Sequence, residues 1–295
     1  VNTVAINFSE KSLLALNAIL AIILYGIALQ IKREEIFSLL KNKKSALVGF
    51  LAQVFALPFV TFLMLIVLKP SAPIALGMII VAACPGGNIS NLIAFIARAN
   101  VGLSVSLTAF STLFSVVSTP FNIAFYGSRY EPVKALLQTI NMSVQDMLQT
   151  FLLLLVLPIV LGFFTQSKYP KAAAVIGKFI RKISMLLLWI FIALAFASNA
   201  KAFIANAAAV FGLVFLHNSL AFGTGFLLAK LAKLPDSDVK TITIETGIQN
   251  AGLGLIIVFN FFGGNAGAAM VAAMWGVWHL ISGFVLAKVF SRTTC

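Results

Sequence analysis

The chain has 295 residues, 61% of them hydrophobic and only 10% charged, which excludes a soluble globular domain and points to a polytopic α-helical membrane protein. The net charge of +13 does not argue for a nucleic-acid partner, because Lys and Arg stand singly between apolar segments rather than clustered on amphipathic faces. The two cysteines, Cys84 and Cys295, have neither metal-ligand spacing nor the numbers for a disulfide framework.

A membrane-spanning helix needs about 20 mostly apolar residues. In chain order the sequence predicts nine such segments: 12–31, 45–68, 73–97, 101–126, 143–165, 174–198, 203–229, 241–262 and 266–290. Lys11 precedes the first and no small-residue cleavage site follows it, so this segment reads as a retained helix. If the loop after it is cytoplasmic, sixteen of the 21 Lys and Arg fall inside, leaving Lys11, Lys69, Arg129, Lys134 and Lys201 outside. That asymmetry predicts an N-terminus outside and a C-terminus in the cytoplasm; the membrane expected for the chain is the cell (inner) membrane.

An internal repeat accompanies the segments. The second carries Gly49-Phe50-Leu51-Ala52-Gln53 and leads through Pro70 into the third; the seventh carries 212–218, ending in His217-Asn218, and leads through Pro235 into the eighth. Equivalent helices are five apart, an odd number, so the two copies enter the membrane from opposite sides. This is the inverted repeat of secondary transporters, with the leading helix of the first copy missing.

The third and eighth segments are interrupted, by Cys-Pro-Gly-Gly-Asn-Ile-Ser-Asn at 84–91 and by Glu-Thr-Gly-Ile-Gln-Asn at 245–250. Backbone unwinds at membrane depth only where it is buried in protein or lines a cavity, and paired interrupted helices mark a transporter's binding site. Of the eight acidic residues, Glu245 alone lies well inside a segment; Asp146 sits near the start of the fifth, and the others, Asp236 and Asp238 among them, fall in tails or loops. An intramembrane carboxylate is a functional hypothesis by default, the structural alternative being a protonated Glu bonded to a neighbouring helix.

On the fourth segment Ser104, Thr108, Ser111, Ser115 and Ser118 recur at helical spacing as a hydroxyl stripe. Ser111, Ser115 and Ser118 read as close packing by small residues. Ser104 and Thr108 lie just past the turn that follows Ser90 and Asn91, and join the site. Glu245 with these hydroxyls, carboxamides and unwound carbonyls forms an all-oxygen site of one formal charge, suited to a sodium ion or a proton. Half-helix N-termini beginning near Asn91 and Asn250 offer N–H groups and a positive dipole end to an organic anion. His217 and Asn218 read as interhelical hydrogen-bond partners.

The strings at 84–91 and 245–250, paired in this order, resemble the bile acid:sodium symporter family, and the resemblance runs from the first helix to the last. The missing leading helix makes the chain resemble, as a bacterial homologue, the nine-helix animal bile-acid transporters, whereas many bacterial relatives have ten helices. The resemblance implies a single transporter domain, 1–295, built as a core (45–126 and 203–290) with two crossing interrupted helices, and a panel (12–31 and 143–198) that rocks against it in alternating access. It also implies two sodium ions. One is held by Ser90, Asn91, Ser104, Thr108 and Glu245; the other by Gln53, Glu245, Gln249 and the carbonyls of Thr246 and Ile248. Two sodium ions, one glutamate and one monoanionic substrate sum to zero charge. Similarity places the substrate at Asn88 and Asn250, with His279 in the last helix as a further contact.

The expectation is therefore a sodium-coupled symporter of small organic anions, bile-acid-like amphipathic carboxylates or sulfates, acting as a monomer among membrane lipids. Two alternatives stand beside it: proton coupling through Glu245, and a ligand sensor that does not transport. An intramembrane enzyme is disfavoured, because no intramembrane His lies in a nucleophile motif and no second intramembrane acid pairs with Glu245.

Overall fold

A computed structural model describes residues 18, 21–139, 156–198 and 200–292. Most of the predicted segment 143–165 lies outside the described residues, with Asp146, as do Lys11 and the start of segment 12–31. The described chain is helical, with one isolated antiparallel bridge.

Residues 21–28 form α1, followed by the short α2 (Arg33–Ser38) and a 3-10 turn (Leu39–Asn42). Then come α3 (Lys43–Leu68), α4 (Ala72–Ala83), α5 (Ile89–Ile96), α6 (Val101–Arg129) and α7 (Glu131–Thr139). The second half holds α8 (Leu157–Lys168), α9 (Pro170–Ser198), α10 (Ala200–Leu231), α11 (Asp236–Gly247), α12 (Ala251–Phe261) and α13 (Ala266–Arg292). Among the described residues, α3, α6, α13 and the stretch Ala207–Leu231 of α10 are long and apolar enough to cross a membrane. The third and eighth predicted segments are each realised as two half-helices, α4 with α5 and α11 with α12.

Local chemistry sets the ends. α3 stops at Lys69, in a left-handed conformation with φ 46°, before Pro70. α6 starts at Asn100, whose Oδ1 accepts from the Leu103 N–H at 3.0 Å; α12 starts at Asn250, whose Oδ1 accepts from the Leu253 N–H at 3.0 Å.

One local feature departs from the predicted continuous helix over 45–68. Residues Ala52–Ala56 form a π turn, with the Leu57 N–H bonded to the Ala52 carbonyl instead of the Gln53 carbonyl. Pro58 is the physical reason: it carries no N–H for the Val54 carbonyl four residues back, and its ring crowds that carbonyl. The extra residue in the turn re-aims Gln53, which is buried at 2% exposure.

A second departure concerns Asp238, which the sequence places in a loop. It belongs to the first turn of α11, is 5% exposed, and accepts from Ser45 Oγ at 2.6 Å and from Asn100 Nδ2 at 2.8 Å. A carboxylate suits a helix N-terminus, and here it also ties α11 to α3 and to the cap of α6.

The half-helices form the interior. Residues 73–83 of α4 are all buried, as are residues 238–247 of α11, whereas Phe59, Val67, Phe215, Leu227 and Val285 on α3, α10 and α13 are exposed and apolar. An apolar outer face around a buried, partly polar centre is the arrangement a bilayer solvates.

α4 packs on α13 through small residues. A Cβ on Gly77 would lie 2.8 Å from the Ala268 Cα and 2.9 Å from its carbonyl oxygen, both backbone atoms that cannot swing away. Gly77→Ala is therefore expected to destabilise the fold by roughly 1–3 kcal/mol, read as a lower thermal unfolding midpoint in detergent. An unchanged midpoint would show that α4 and α13 do not approach this closely.

Candidate functional site

The two breaks meet. Cys84 precedes Pro85 and is extended, with ψ 154°, which ends α4; Ile248 is extended beyond the end of α11. Between them Gly86 and Gln249 form an antiparallel bridge, the Gly87 N–H donating to the Ile248 carbonyl at 2.9 Å and the Asn250 N–H to the Pro85 carbonyl at 2.9 Å. Each unwound strand thus supplies the hydrogen bonds that the other lost by leaving its helix. The glycines are needed for close approach. A Cβ on Gly86 would lie 2.8 Å from Glu245 Oε2 and 2.9 Å from Gln53 Nε2, and one on Gly87 would lie 3.1 Å from the Gln249 carbonyl oxygen.

Glu245, in the last turn of α11, has no exposed surface. Its Oε1 accepts from the hydroxyls of Ser90, Ser104 and Thr108, and its Oε2 from Thr108 Oγ1 at 3.0 Å and Gln53 Nε2 at 3.3 Å. No basic side chain among the described residues pairs with Glu245 within 4 Å; Lys134 pairs with Glu131 and Lys230 with Asp236. Asn91 Oδ1 joins the cluster, 2.9 Å from Ser104 Oγ and 3.4 Å from Thr108 Oγ1. Three hydroxyl protons therefore face the Glu245 carboxylate and the Asn91 carbonyl at once, leaving oxygen lone pairs in excess over donors.

Two carboxamides extend the polar centre of the crossing. Gln53 Nε2 donates to the Glu245 main-chain carbonyl at 2.8 Å, and Gln249 Nε2 to the Thr246 carbonyl at 2.8 Å. The amide oxygens Oε1 of both Gln53 and Gln249 are buried without a hydrogen-bond partner among the described residues. Buried polar atoms without partners are rare, and two such carboxamide oxygens at the crossing, Gln53 in contact with the carboxylate, fit a hard monovalent cation.

Asn88, the residue before α5, lines a cavity of about 170 Å³. Asn91, Thr108 and Thr112 line it too, and Gln30 and Glu35 from the N-terminal elements face them. Because Asn91 and Thr108 belong both to this wall and to the Glu245 cluster, a guest in the cavity would touch the cluster. α5 starts at Ile89, two residues before the N-terminus expected near Asn91.

Asn250 sits at the crossing, its Oδ1 engaged in capping α12. His279 lies in α13 between Gly276, which faces Ala251, and Gly283, which faces Ile93 and Ile248. At spacings of three and four the three residues share one face. His279 is thus turned toward the second break, buried, with Nδ1 unpartnered and no hydrogen bond to Asn88 or Asn250 among the described residues.

The predicted set Gln53, Ser90, Asn91, Ser104, Thr108, Glu245 and Gln249 is brought together. Ser111, Ser115 and Ser118 donate to carbonyls of their own helix, as their packing reading expects. His217 Nε2 is 2.7 Å from Thr61 Oγ1, and Asn218 Nδ2 donates to the Gly247 carbonyl at 2.8 Å, which makes both interhelical partners. Sequence reasoning missed Gln30, Glu35 and Thr112 on the cavity wall; only their neighbours in the fold mark them.

The sequence profile of the sodium bile acid symporter family matches residues 17–206, a stretch that contains the first break. The chain is 30% identical over 273 residues to a Bacillus subtilis protein named "Uncharacterized sodium-dependent transporter YocS", covering 92% of this chain and 82% of that one. It is 30% identical over 274 residues to the Arabidopsis thaliana protein named "Probable sodium/metabolite cotransporter BASS1, chloroplastic", covering 93% of this chain and 66% of that one, less than two thirds of its length. With the human "Ileal sodium/bile acid cotransporter" it shares 28% identity over 245 residues, 82% of this chain and 68% of that one.

The close approach at the crossing is testable by adding a methyl group. Gly86→Ala is expected to displace the Glu245 and Gln53 side chains and to destabilise the protein by roughly 1–3 kcal/mol. Gly223→Ala, in α10 with nothing within 4 Å of its Cβ, is the control and is expected to stabilise by ~0.5 kcal/mol. Equal thermal midpoints for the two variants would refute the geometry.

Proposed function

From a chain that belongs to the sodium bile acid symporter family, a family of sodium-dependent transporters and not of enzymes, we propose a symporter that couples sodium entry to uptake of an organic anion by alternating access. One observation carries this reading: a fully buried carboxylate, Glu245, ringed by neutral oxygens and without a protein cation in reach. Leaving such a charge unpaired costs several kcal/mol, so the cluster calls for a cation from solution.

In this reading two sodium ions are carried. Ser90, Asn91, Ser104, Thr108 and Glu245 hold one; Gln53, Glu245, Gln249 and the carbonyls of Thr246 and Ile248 hold the other. The surplus of lone pairs around Glu245 supports the first set, and the unpartnered amide oxygens of Gln53 and Gln249 support the second. With both ions and a monoanionic substrate aboard, the centre is neutral and can change its exposure without dragging net charge through hydrocarbon. The anion lies against Asn88 and Asn250, at the N-termini of α5 and α12, where backbone N–H groups and helix dipoles favour negative charge. His279 borders it. The names of the human and plant relatives support an organic solute of this kind.

The proposed frame is nine crossings in the cell (inner) membrane, N-terminus outside and C-terminus in the cytoplasm, working as a monomer. Residues 45–126 and 203–290 form a core that rocks against a panel of 12–31 and 143–198. The cavity supports this division, since Gln30 and Glu35 face it from the N-terminal side and Asn88 and Asn91 from the core.

Ligand binding to the folded state alone raises stability by mass action, about 2.7 kcal/mol at a hundred times Kd. Sodium, and not potassium, is therefore expected to raise the thermal midpoint of the purified protein, and the effect should be lost in Glu245→Ala. Equal behaviour in the two salts would overturn the cation site. Sodium-independent uptake driven by a pH gradient in proteoliposomes of the unaltered protein, lost in Glu245→Gln, would replace sodium coupling with proton coupling.

A further inference from the structure

Each place where a helix near Glu245 leaves regular geometry strips backbone carbonyls of their helical donors, three of them at some distance from the carboxylate. The Val54 carbonyl loses its α-helical partner because Pro58 has no N–H. The Ala83 carbonyl loses the Gly87 N–H, which donates across the crossing to Ile248 instead. The Gly247 carbonyl loses the Ala251 N–H, which bonds to the Gln249 carbonyl at 2.9 Å. All three carbonyls receive a replacement from a buried side chain on another helix. Asn122 Nδ2 donates to Val54 at 2.9 Å, Thr119 Oγ1 to Ala83 at 2.7 Å, and Asn218 Nδ2 to Gly247 at 2.8 Å. Asn122, Thr119 and Asn218 are at most 3% exposed, so water does not compete for these bonds.

We propose that Thr119, Asn122 and Asn218 are positioning residues for the cation site, holding the three irregular backbone segments from which Gln53, Ser90 and residues 245–249 project. Thr119 and Asn122 are one turn apart on the same face of α6, so a single rigid helix sets the π turn of α3 and the end of α4 in register with each other. That helix also carries Ser104 and Thr108, whose hydroxyls reach Glu245. Asn218 does the same for the end of α11 and is itself held by Ser282, whose hydroxyl donates to Asn218 Oδ1 at 2.7 Å. Without these donors the freed carbonyls remain buried and unsatisfied, and the backbone shifts in search of other partners. Gln53 then turns away from Glu245, and the crossing loosens.

This inference rests on the cation reading of Glu245, and the test separates the two. The sodium concentration giving half of the maximal thermal stabilisation is measured for the unaltered protein, Thr119→Val, Thr119→Ser, Asn122→Leu and Asn218→Leu. Thr119→Val, close in shape but without a donor, together with Asn122→Leu and Asn218→Leu, should raise that concentration by about tenfold, whereas Thr119→Ser, which keeps the hydroxyl, should restore it. Ser115→Ala, which removes a hydroxyl bonded within α6, should leave it unchanged. If Asn122 acts through Gln53, adding Asn122→Leu to Gln53→Leu should produce no further change.

Variants that lower the sodium-free midpoint yet keep the unaltered half-saturating concentration would overturn the proposal and leave the cation site standing. Absence of sodium-specific stabilisation in the unaltered protein would overturn both. Should a Leu variant fail to fold, the Val and Ser pair at Thr119 decides alone.

Discussion

The carboxylate of Glu245 is enclosed by helices, fully buried, and without a basic side chain within 4 Å among the described residues. The organisation around it answers to that one uncompensated charge. Hydroxyls of Ser90, Ser104 and Thr108 crowd one oxygen, the Gln53 amide approaches the other, and Gly86 has no side chain because a methyl group there would strike both Glu245 and Gln53. Dipoles of neutral groups moderate a buried charge but do not cancel it, so a cation or a proton remains part of the folded state's electrostatics. The carboxylate cluster and the neighbouring cavity share residues. Asn91 and Thr108 touch the carboxylate cluster on one side and line the cavity on the other.

Placing oxygen ligands at membrane depth requires open backbone, and open backbone in an apolar interior requires substitute hydrogen bonds. The two breaks satisfy part of this requirement in each other, through the Gly87 to Ile248 and Asn250 to Pro85 bonds. Side chains of α6 and α10 satisfy more of it at Ala83, Val54 and Gly247, and Gln53 and Gln249 do so at Glu245 and Thr246. Polar residues inside this protein therefore fall into two groups by what they touch. Ser90, Asn91, Ser104, Thr108, Gln53 and Gln249 surround the carboxylate, while Thr119, Asn122 and Asn218 hold main-chain carbonyls and never meet it. Thr119 and Asn122 lie farther along the helix that carries Ser104 and Thr108, whereas Asn218 reaches the crossing from α10.

Much of this was legible in the amino-acid order because bilayer-spanning helices are long and apolar, and their interruptions stand out. Pro85 with two glycines, and Gly247 beside Glu245, announce breaks without reference to any neighbour. Ser104 and Thr108 are marked by helical spacing alone. Asn122 and Thr119 are not marked: a Thr and an Asn on a hydroxyl-rich helix look like further small polar packing, and their significance depends on carbonyls 36 and 68 positions away. Asp238 escaped for a related reason. Near a proline turn it resembles a loop residue, and only the arrival of Ser45 and Asn100 explains its burial.

By itself the sequence determined that the chain spans a membrane, where its helices break, which acid lies inside, and which family it resembles. These properties are local: hydropathy, proline and glycine act on their own neighbourhood, and a motif is read in one stretch. The tertiary structure decided which oxygens meet, that Gln53 is aimed by a π turn, that Asn250 caps a helix, and which side chains replace the lost backbone bonds. Those outcomes turn on distances between residues far apart in the chain. They follow from the crossing of two half-helices, whose register is set by hydrogen bonds that exist only once both are in place.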